Sequence, residues 1–175
     1  SGSRFEKVNS NEGPYHLVLL CKNETGYKNL SYLVSAAYTE GFYGKPRIDE
    51  ELLSSHSEGL IALSACLSGK IPRLIARGDM AEAKATAKRY KELFGKDSFY
   101  IELQDHGTDE TRALMPLLVR LSEETGLPMV ATNDCHYLRR QDSEIQQVLM
   151  CIQTNTTLDS QNKPTFGVDD YYIKT

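Results

Sequence analysis

Four apolar runs of strand length, at residues 15–21 (Y-H-L-V-L-L-C), 59–66 (G-L-I-A-L-S-A-C), 99–103 (F-Y-I-E-L) and in the first half of 127–137 (L-P-M-V-A-T-N-D-C-H-Y), are parted by longer polar and amphipathic stretches. Runs this short, bounded by turn residues, read as buried strands. Strands separated by helices pair in parallel through right-handed crossovers. The expected class is therefore α/β, with parallel strands and outer helices. Four strands are too few to close a (β/α) barrel, so the residues alone predict an open sheet or a piece of a barrel.

The intervening stretches carry helix signals. Over 27–40, Leu30, Leu33, Val34, Ala37 and Tyr38 recur at helical spacing, and Gly41 ends the pattern. Short helices are expected at 49–54 and 71–76. Asp79 is placed to cap a helix over 80–94 that Gly95 stops. Thr108 or Asp109 starts another, which runs to about 125 before Gly126 and Pro128. Pro116 lies inside it and is expected to kink it or mark a restart. A last helix over 142–152 sets Ile145, Val148, Leu149 and Ile152 on one face. Residues 153–175 are polar and turn-rich and end in the aromatic pair Tyr171 and Tyr172.

Charge and cysteine use narrow the function classes. A net charge of -4 does not suit a chain that grips nucleic acid by itself, so any DNA affinity has to come from a local patch or from elsewhere. No apolar run approaches the roughly 18 residues of a membrane helix, and the first residues have no apolar signal region. Cys21, Cys66, Cys135 and Cys151 show no C-x-x-C pairing and are expected to be reduced thiols in a cytoplasmic protein.

In parallel α/β folds chemistry gathers at the carboxyl ends of strands. Side chains two apart on an extended chain share a face, so Asp134 and His136 are expected to point the same way, one carboxylate beside one imidazole. That is a compact pair of metal ligands. Cys66 ends the second run and His106 follows the third. His16 stands at the start of its run, which breaks the pattern. Plainer readings compete. A histidine before an apolar run is more often a surface group, Cys66 alone is more often a small buried hydrophobe, and His106 in D-H-G is more often a turn residue. His56 lies in a polar serine-rich loop. No spacing matches a zinc finger, a P-loop or H-E-x-x-H.

The chain also carries a family likeness. Its motifs are H-L-V-L-L-C-K-N at 16–23 with G-Y-K-N-L at 26–30, E-G-F-Y at 40–43 with K-P-R-I-D at 45–49, S-E-G-L-I-A-L-S-A-C-L-S-G at 57–69, F-Y-I-E-L-Q-x-H-G at 99–107 and V-A-T-N-D-x-H-Y at 130–137. Together they resemble the PHP (polymerase and histidinol phosphatase) domain of bacterial DNA polymerase III alpha subunits, over nearly the whole chain. The resemblance implies a distorted (β/α)7 barrel that holds divalent metal ions (Zn, Mn or Mg) and carries out metal-dependent phosphodiester hydrolysis as 3′–5′ proofreading, or else only braces the polymerase. By position, His16, Cys66, Asp134 and His136 match metal ligands. His106 is not among them and is at most a weak catalytic candidate, as a supporting group or a nucleotide contact. Arg47 is a weak phosphate candidate against the plainer reading of a solvent-facing loop arginine.

The family's H-x-H motif has no counterpart before His16. The resemblance therefore implies a partial barrel lacking its first strands, with residues 1–158 as the PHP portion and 159–175 as a lead-out toward the polymerase body. It implies a chain that binds metal weakly or not at all and is inactive alone, with exposed apolar surface that favours self-association. DNA and other replicase subunits would be partners through the parent protein. The alternative is a free-standing phosphatase of the histidinol-phosphate type.

Overall fold

The computed structural model describes residues 2–6 and 13–175. In chain order the elements are β1 (Val18–Cys21), α1 (Glu24–Thr39), α2 (Glu50–Ser55), β2 (Leu60–Leu63), α3 (Lys70–Ala76), α4 (Met80–Phe94), β3 (Phe99–Gln104), α5 (Asp109–Thr125), β4 (Met129–Thr132), a 3₁₀ turn (Arg140–Asp142) and α6 (Ser143–Gln153). The strands form one sheet in the order β1-β2-β3-β4. β2, β3 and β4 are parallel, joined through α3 and α4 and then through α5.

β1 departs from the all-parallel expectation. It runs antiparallel to β2, with Val18 opposite Leu63 and Cys21 opposite Leu60. The helical stretch between them, α1 and α2, returns the chain without making a parallel crossover. As a result the start of β1 lies beside the end of β2. His16 thus falls at the same sheet edge as the carboxyl ends of β2, β3 and β4, which removes the anomaly in its sequence position.

The core forms where the strands meet the helices. β2 is buried at Leu60, Ala62 and Leu63, and β3 at Phe99, Ile101 and Glu102. α4 turns Ala83, Ala87, Tyr90 and Phe94 onto them, at the i, i+4, i+7 spacing of one helical face. The rings of Tyr90 and Phe99 meet edge to face with centroids 5.3 Å apart. α5 contributes Leu114, Leu118 and Leu121 and is one continuous helix through Pro116, so no restart occurs there. α6 leaves Ile145 and Ile152 exposed, together with Val148 and Leu149.

Helix ends follow local chemistry. Asn23, Asp49, Asp79 and Thr108 each cap a helix by accepting a backbone N–H three residues on. Asp49 does more. Its carboxylate accepts the backbone N–H of Arg4 at 3.0 Å and the Arg4 guanidinium at 3.0 Å. Burial alone would raise the Asp49 pKa, but the N–H groups of Arg4 and Leu52 and the Arg4 charge outweigh it and hold the carboxyl below its ordinary value. A depressed folded pKa gives stability that is present above the unfolded carboxylate range and is lost as pH falls through the folded value. Asp49→Ala is expected to cost about 2 kcal/mol at pH 7. Urea denaturation at pH 7 and pH 3 checks this, with a cost that shrinks at the lower pH. An equal cost at both would contradict it.

Candidate metal centre

Antiparallel β1 and the three parallel strands open a cleft of ≈ 620 Å³ at one sheet edge. His16, Cys66, Glu102 and Asp134 all line it, His16 from just before β1, Cys66 from the loop after β2, Glu102 from β3 and Asp134 from beyond the end of β4.

His16 is set by the loop after β2. Its backbone N–H donates to the Ser68 carbonyl at 3.0 Å, and it bridges to Gly69. Its Nδ1 comes within 3.7 Å of Cys66 Sγ. Cys66 itself is aimed by an uncommon corner. Ala65 has φ +66°, which costs a residue with a Cβ about 1–2 kcal/mol. The corner is held because the Ala65 N–H donates to Glu102 Oε2 at 2.9 Å.

Glu102 is the group that ties the strand ends together. It is buried, and its Oε1 accepts the Thr132 hydroxyl at 2.5 Å and the Gln104 amide at 3.0 Å. Its backbone N–H donates to Ser64 Oγ at 2.8 Å. One carboxylate therefore connects β3 to the corner before Cys66 and to the end of β4. The sequence reading missed it, although a charged residue inside the apolar run F-Y-I-E-L was a usable signal.

The Asp134–His136 segment is not the expected strand end. β4 stops at Thr132, and Asp134 takes φ +44°, so alternation along an extended chain does not apply. Asp134 reaches the cleft. His136 does not line it; its ring lies 4.7 Å from Phe166 and 5.4 Å from Tyr171. His136 Nδ1 is 2.6 Å from the Asp134 carbonyl. A carbonyl only accepts, so Nδ1 carries the hydrogen and Nε2 keeps a bare lone pair. A ring N–H given to a backbone carbonyl is the usual way a metal-binding histidine is oriented.

His106 is buried rather than exposed in a turn. Its Nε2–H donates to the Asn133 carbonyl at 3.0 Å, and its ring stacks on Tyr171 at 4.0 Å. Arg47 is not brought to the cleft. Its guanidinium donates to the carbonyls of Gly41 and Glu6, both at 3.2 Å. Tyr171 is a further group the sequence reading did not assign. Burial first, and then the charges of Asp134 and Cys66, push its phenol above its ordinary pKa.

The donor types, two imidazoles, a thiol and a carboxylate, suit a borderline-soft divalent cation. Among the described residues no three His, Cys, Asp or Glu groups stand close enough to hold one ion. The site is thus a His16–Cys66 pair and an Asp134 carboxylate on one cleft, with His136 set behind it.

Residues 2–106 match the family model of the PHP domain. The chain belongs to the PHP family. This PHP chain is 48% identical over 174 residues to a DNA polymerase III subunit alpha of Treponema pallidum, with 98% of the chain and 15% of that protein covered. It is 45% identical to the corresponding subunit of Thermus aquaticus, covering 99% of the chain and 14% of that protein. It is 42% identical to that of Deinococcus radiodurans, covering 99% and 13%. The PHP chain therefore spans 13 to 15% of the length of these curated relatives. No helix among its described residues is long and apolar enough to cross a membrane.

Proposed function

We propose that this PHP chain is part of a bacterial replicative DNA polymerase alpha subunit and that its cleft is the strand-end portion of a metal-dependent phosphodiesterase site acting on DNA 3′ ends. The observation that carries the reading is that His16, Cys66 and Asp134 line one cleft, from the start of β1 and from beyond the ends of β2 and β4. The names of the relatives support the polymerase parent, and they do not favour a free-standing histidinol-phosphate-type phosphatase. In this reading the four strands are a stretch of the distorted (β/α)7 barrel, residues 1–158 are the PHP portion and 159–175 lead toward the polymerase body.

His16 and His136 would bind as neutral imidazoles, Cys66 as thiolate and Asp134 as carboxylate. The chemistry a divalent ion supplies at such a site is Lewis acidity toward a phosphoryl oxygen and a lowered pKa for bound water. The chain's own part is geometric. Glu102 holds the Cys66 and β4 corners in register, and the Asp134 carbonyl keeps His136 in the tautomer that leaves Nε2 free. With a net charge of -4, the grip on DNA falls to other parts of the parent protein and its replicase partners.

Zinc competition measured on the 175-residue chain tests the ligand set. Asp134→Asn and Cys66→Ser are each expected to weaken binding about tenfold or more. Wild-type affinity in both would remove these residues from the site. Release of 3′ nucleotides with Mn is expected from the full-length alpha subunit and not from this chain. Equal activity in the two would show that the chain holds a complete site. A full-length protein that contains no metal would instead favour the bracing role.

A further inference from the structure

Helix α6 faces the wrong way for a surface helix. Such a helix normally turns its apolar stripe inward and its polar side to water. Here Ile145, Val148, Leu149 and Ile152, at the i, i+3, i+4, i+7 spacing of one face, are 61, 40, 54 and 71% exposed. Cys151 is the only buried residue of the helix, and Gln146, Gln147 and Met150 are half-buried. Gln147 is committed to the inward side, where its Nε2 donates to the Pro164 carbonyl and approaches Cys151 Sγ at 3.8 Å. Rolling the helix to bury the stripe would break both contacts and bring Cys151 to the surface. The outward direction of the stripe is therefore set by the fold.

Four adjoining aliphatic side chains in water call for a covering partner. The size of the stripe decides which kind. An 11-residue helix is about 16 Å long. One stripe along it offers roughly half of the ~800 Å² per partner that a stable interface between separate molecules buries. A second copy of the chain is thus poorly held there. A tethered polypeptide needs less area, because the tether gives an effective concentration on the order of 1 mM and spares the entropy of bringing two molecules together. The tether is also in position. The Ile173 N–H donates to the Leu138 carbonyl at 3.3 Å, which holds the carboxyl end of the chain beside the residues that lead through the 3₁₀ turn into α6. Ile173 and Leu138 are themselves exposed. The chain spans 13 to 15% of the length of its curated relatives, so a subunit of their kind has most of its polypeptide outside these 175 residues.

We propose that the Ile145, Val148, Leu149 and Ile152 face of α6 is a docking surface within the parent alpha subunit, covered by an apolar face of the polypeptide that follows residue 175. α6 is then the seam between this chain and the remainder of the subunit. The inference rests on the polymerase-subunit reading of the chain and is independent of the chemistry of the cleft.

The test places a benzophenone side chain at position 149 of the full-length alpha subunit and maps its photo-crosslinks without metal or DNA. The expected product joins position 149 to a peptide beyond residue 175 of the same molecule. A crosslink between two copies overturns the proposal in favour of a dimer. A crosslink to a peptide preceding this chain overturns it too, as does a yield no higher than from the exposed position 144. Hydrogen exchange gives a second reading that needs no substitution. The α6 amides are expected to exchange at least about tenfold more slowly in the full-length subunit than in the 175-residue chain, and equal exchange overturns the proposal. Ile145→Gln combined with Ile152→Gln is expected to remove that slowing in the full-length subunit. In the 175-residue chain the same pair is expected to shift the thermal midpoint by no more than about 2 °C, because both side chains already face water there. Unfolding of the 175-residue chain by the pair would show that the stripe supports this fold itself, and would also overturn the proposal. A native gene product of little more than 175 residues would instead defeat the polymerase-subunit reading, and a full-length subunit without nuclease activity would bear on the cleft alone.

Discussion

Alanine at Gly69 is expected to destabilise the chain by about 3 kcal/mol or more, at the upper end of what overpacking costs. A Cβ there would sit 2.1 Å from the Ser64 carbonyl oxygen, 3.1 Å from Pro72 Cδ and 3.2 Å from the Cys66 carbonyl oxygen. The first of these is a backbone atom at the end of β2, and it cannot move without carrying the sheet with it. Gly69 has an ordinary φ of -66°, so the requirement is for close approach and not for backbone freedom. A comparison separates the two demands on glycine. Gly78 has φ +81° with nothing within 4 Å of a built Cβ. Alanine there meets only the left-handed penalty of about 1–2 kcal/mol, partly offset by the lower entropy of its unfolded chain. Gly26 is a second close-approach site, where a Cβ would fall 1.9 Å from the Gly59 carbonyl oxygen. Gly26→Ala is expected to resemble Gly69→Ala in size. The two differ at the site, because the loop 66–69 carries both Cys66 and the partner of His16. Only Gly69→Ala is expected to weaken zinc binding in molecules that remain folded. Urea midpoints for the three variants decide the matter, and a Gly69→Ala cost no larger than that of Gly78→Ala would sink the close-approach argument.

What the sequence disclosed follows from how local each feature is. The four strands and the helices between them were legible because apolar runs and helical spacing are local patterns, and the Asp79 cap and the Gly126 stop were legible for the same reason. The start of α1 was misplaced, at Tyr27 after Gly26. Asn23 is the true cap, and Gly26 lies inside the first turn because the Gly59 backbone presses against it. The direction of β1 was not legible. Whether a strand pairs parallel or antiparallel is decided by the partner it meets, and nothing within V-L-L-C encodes that choice. The alternation argument for Asp134 and His136 failed because it assumed extension past Thr132. Aspartate tolerates the left-handed region better than most residues, and Asp134 uses it. The clustering of His16, Cys66 and Asp134 agrees with the strand-end rule, but the reason His16 joins them is the reversed strand. The positions of His106 and Tyr171 depend on contacts across 27 residues, from His106 to Asn133, and across 34, between Tyr137 and Tyr171, which no window of sequence reveals.

Glu102 is where fold and site depend on the same atoms, and its removal is the other change of large expected effect. Glu102→Ala deletes the acceptor of the buried Ala65 N–H and leaves that donor without a partner, at a cost of about 1–3 kcal/mol. It also vacates space beside Leu114 and Leu118, which adjoin a small cavity of ≈ 20 Å³ already present under the cleft. The vacated side chain adds its own cavity term. The Thr132 hydroxyl and the Gln104 amide lose an acceptor as well, though both are half-buried and water can replace it. Together these make a loss of about 3 kcal/mol or more the expected result. Glu102→Gln separates the polar part from the packing part. It fills the same volume, but one oxygen now faces three donors and the new amide brings donors of its own. The Thr132 hydroxyl can turn to accept from that amide, the Gln104 amide can flip to accept through its oxygen, and the remaining oxygen keeps the Ala65 N–H. Only the charge on the acceptor is lost, so Glu102→Gln is expected to cost less than half as much as Glu102→Ala. Glu102→Ala also releases the restraint on Ala65 at φ +66°, and the corner before Cys66 is there expected to relax toward an ordinary conformation. Zinc affinity is therefore expected to fall about tenfold in Glu102→Ala molecules that remain folded and by less in Glu102→Gln, because only the first takes the shared anchor from the thiol and the end of β4. Thermal and urea denaturation of the two variants, read beside zinc competition, test this directly. A Glu102→Ala cost within about 0.5 kcal/mol of wild type, the range of an ordinary surface substitution, would mean that the buried side chain does not hold the strand ends together.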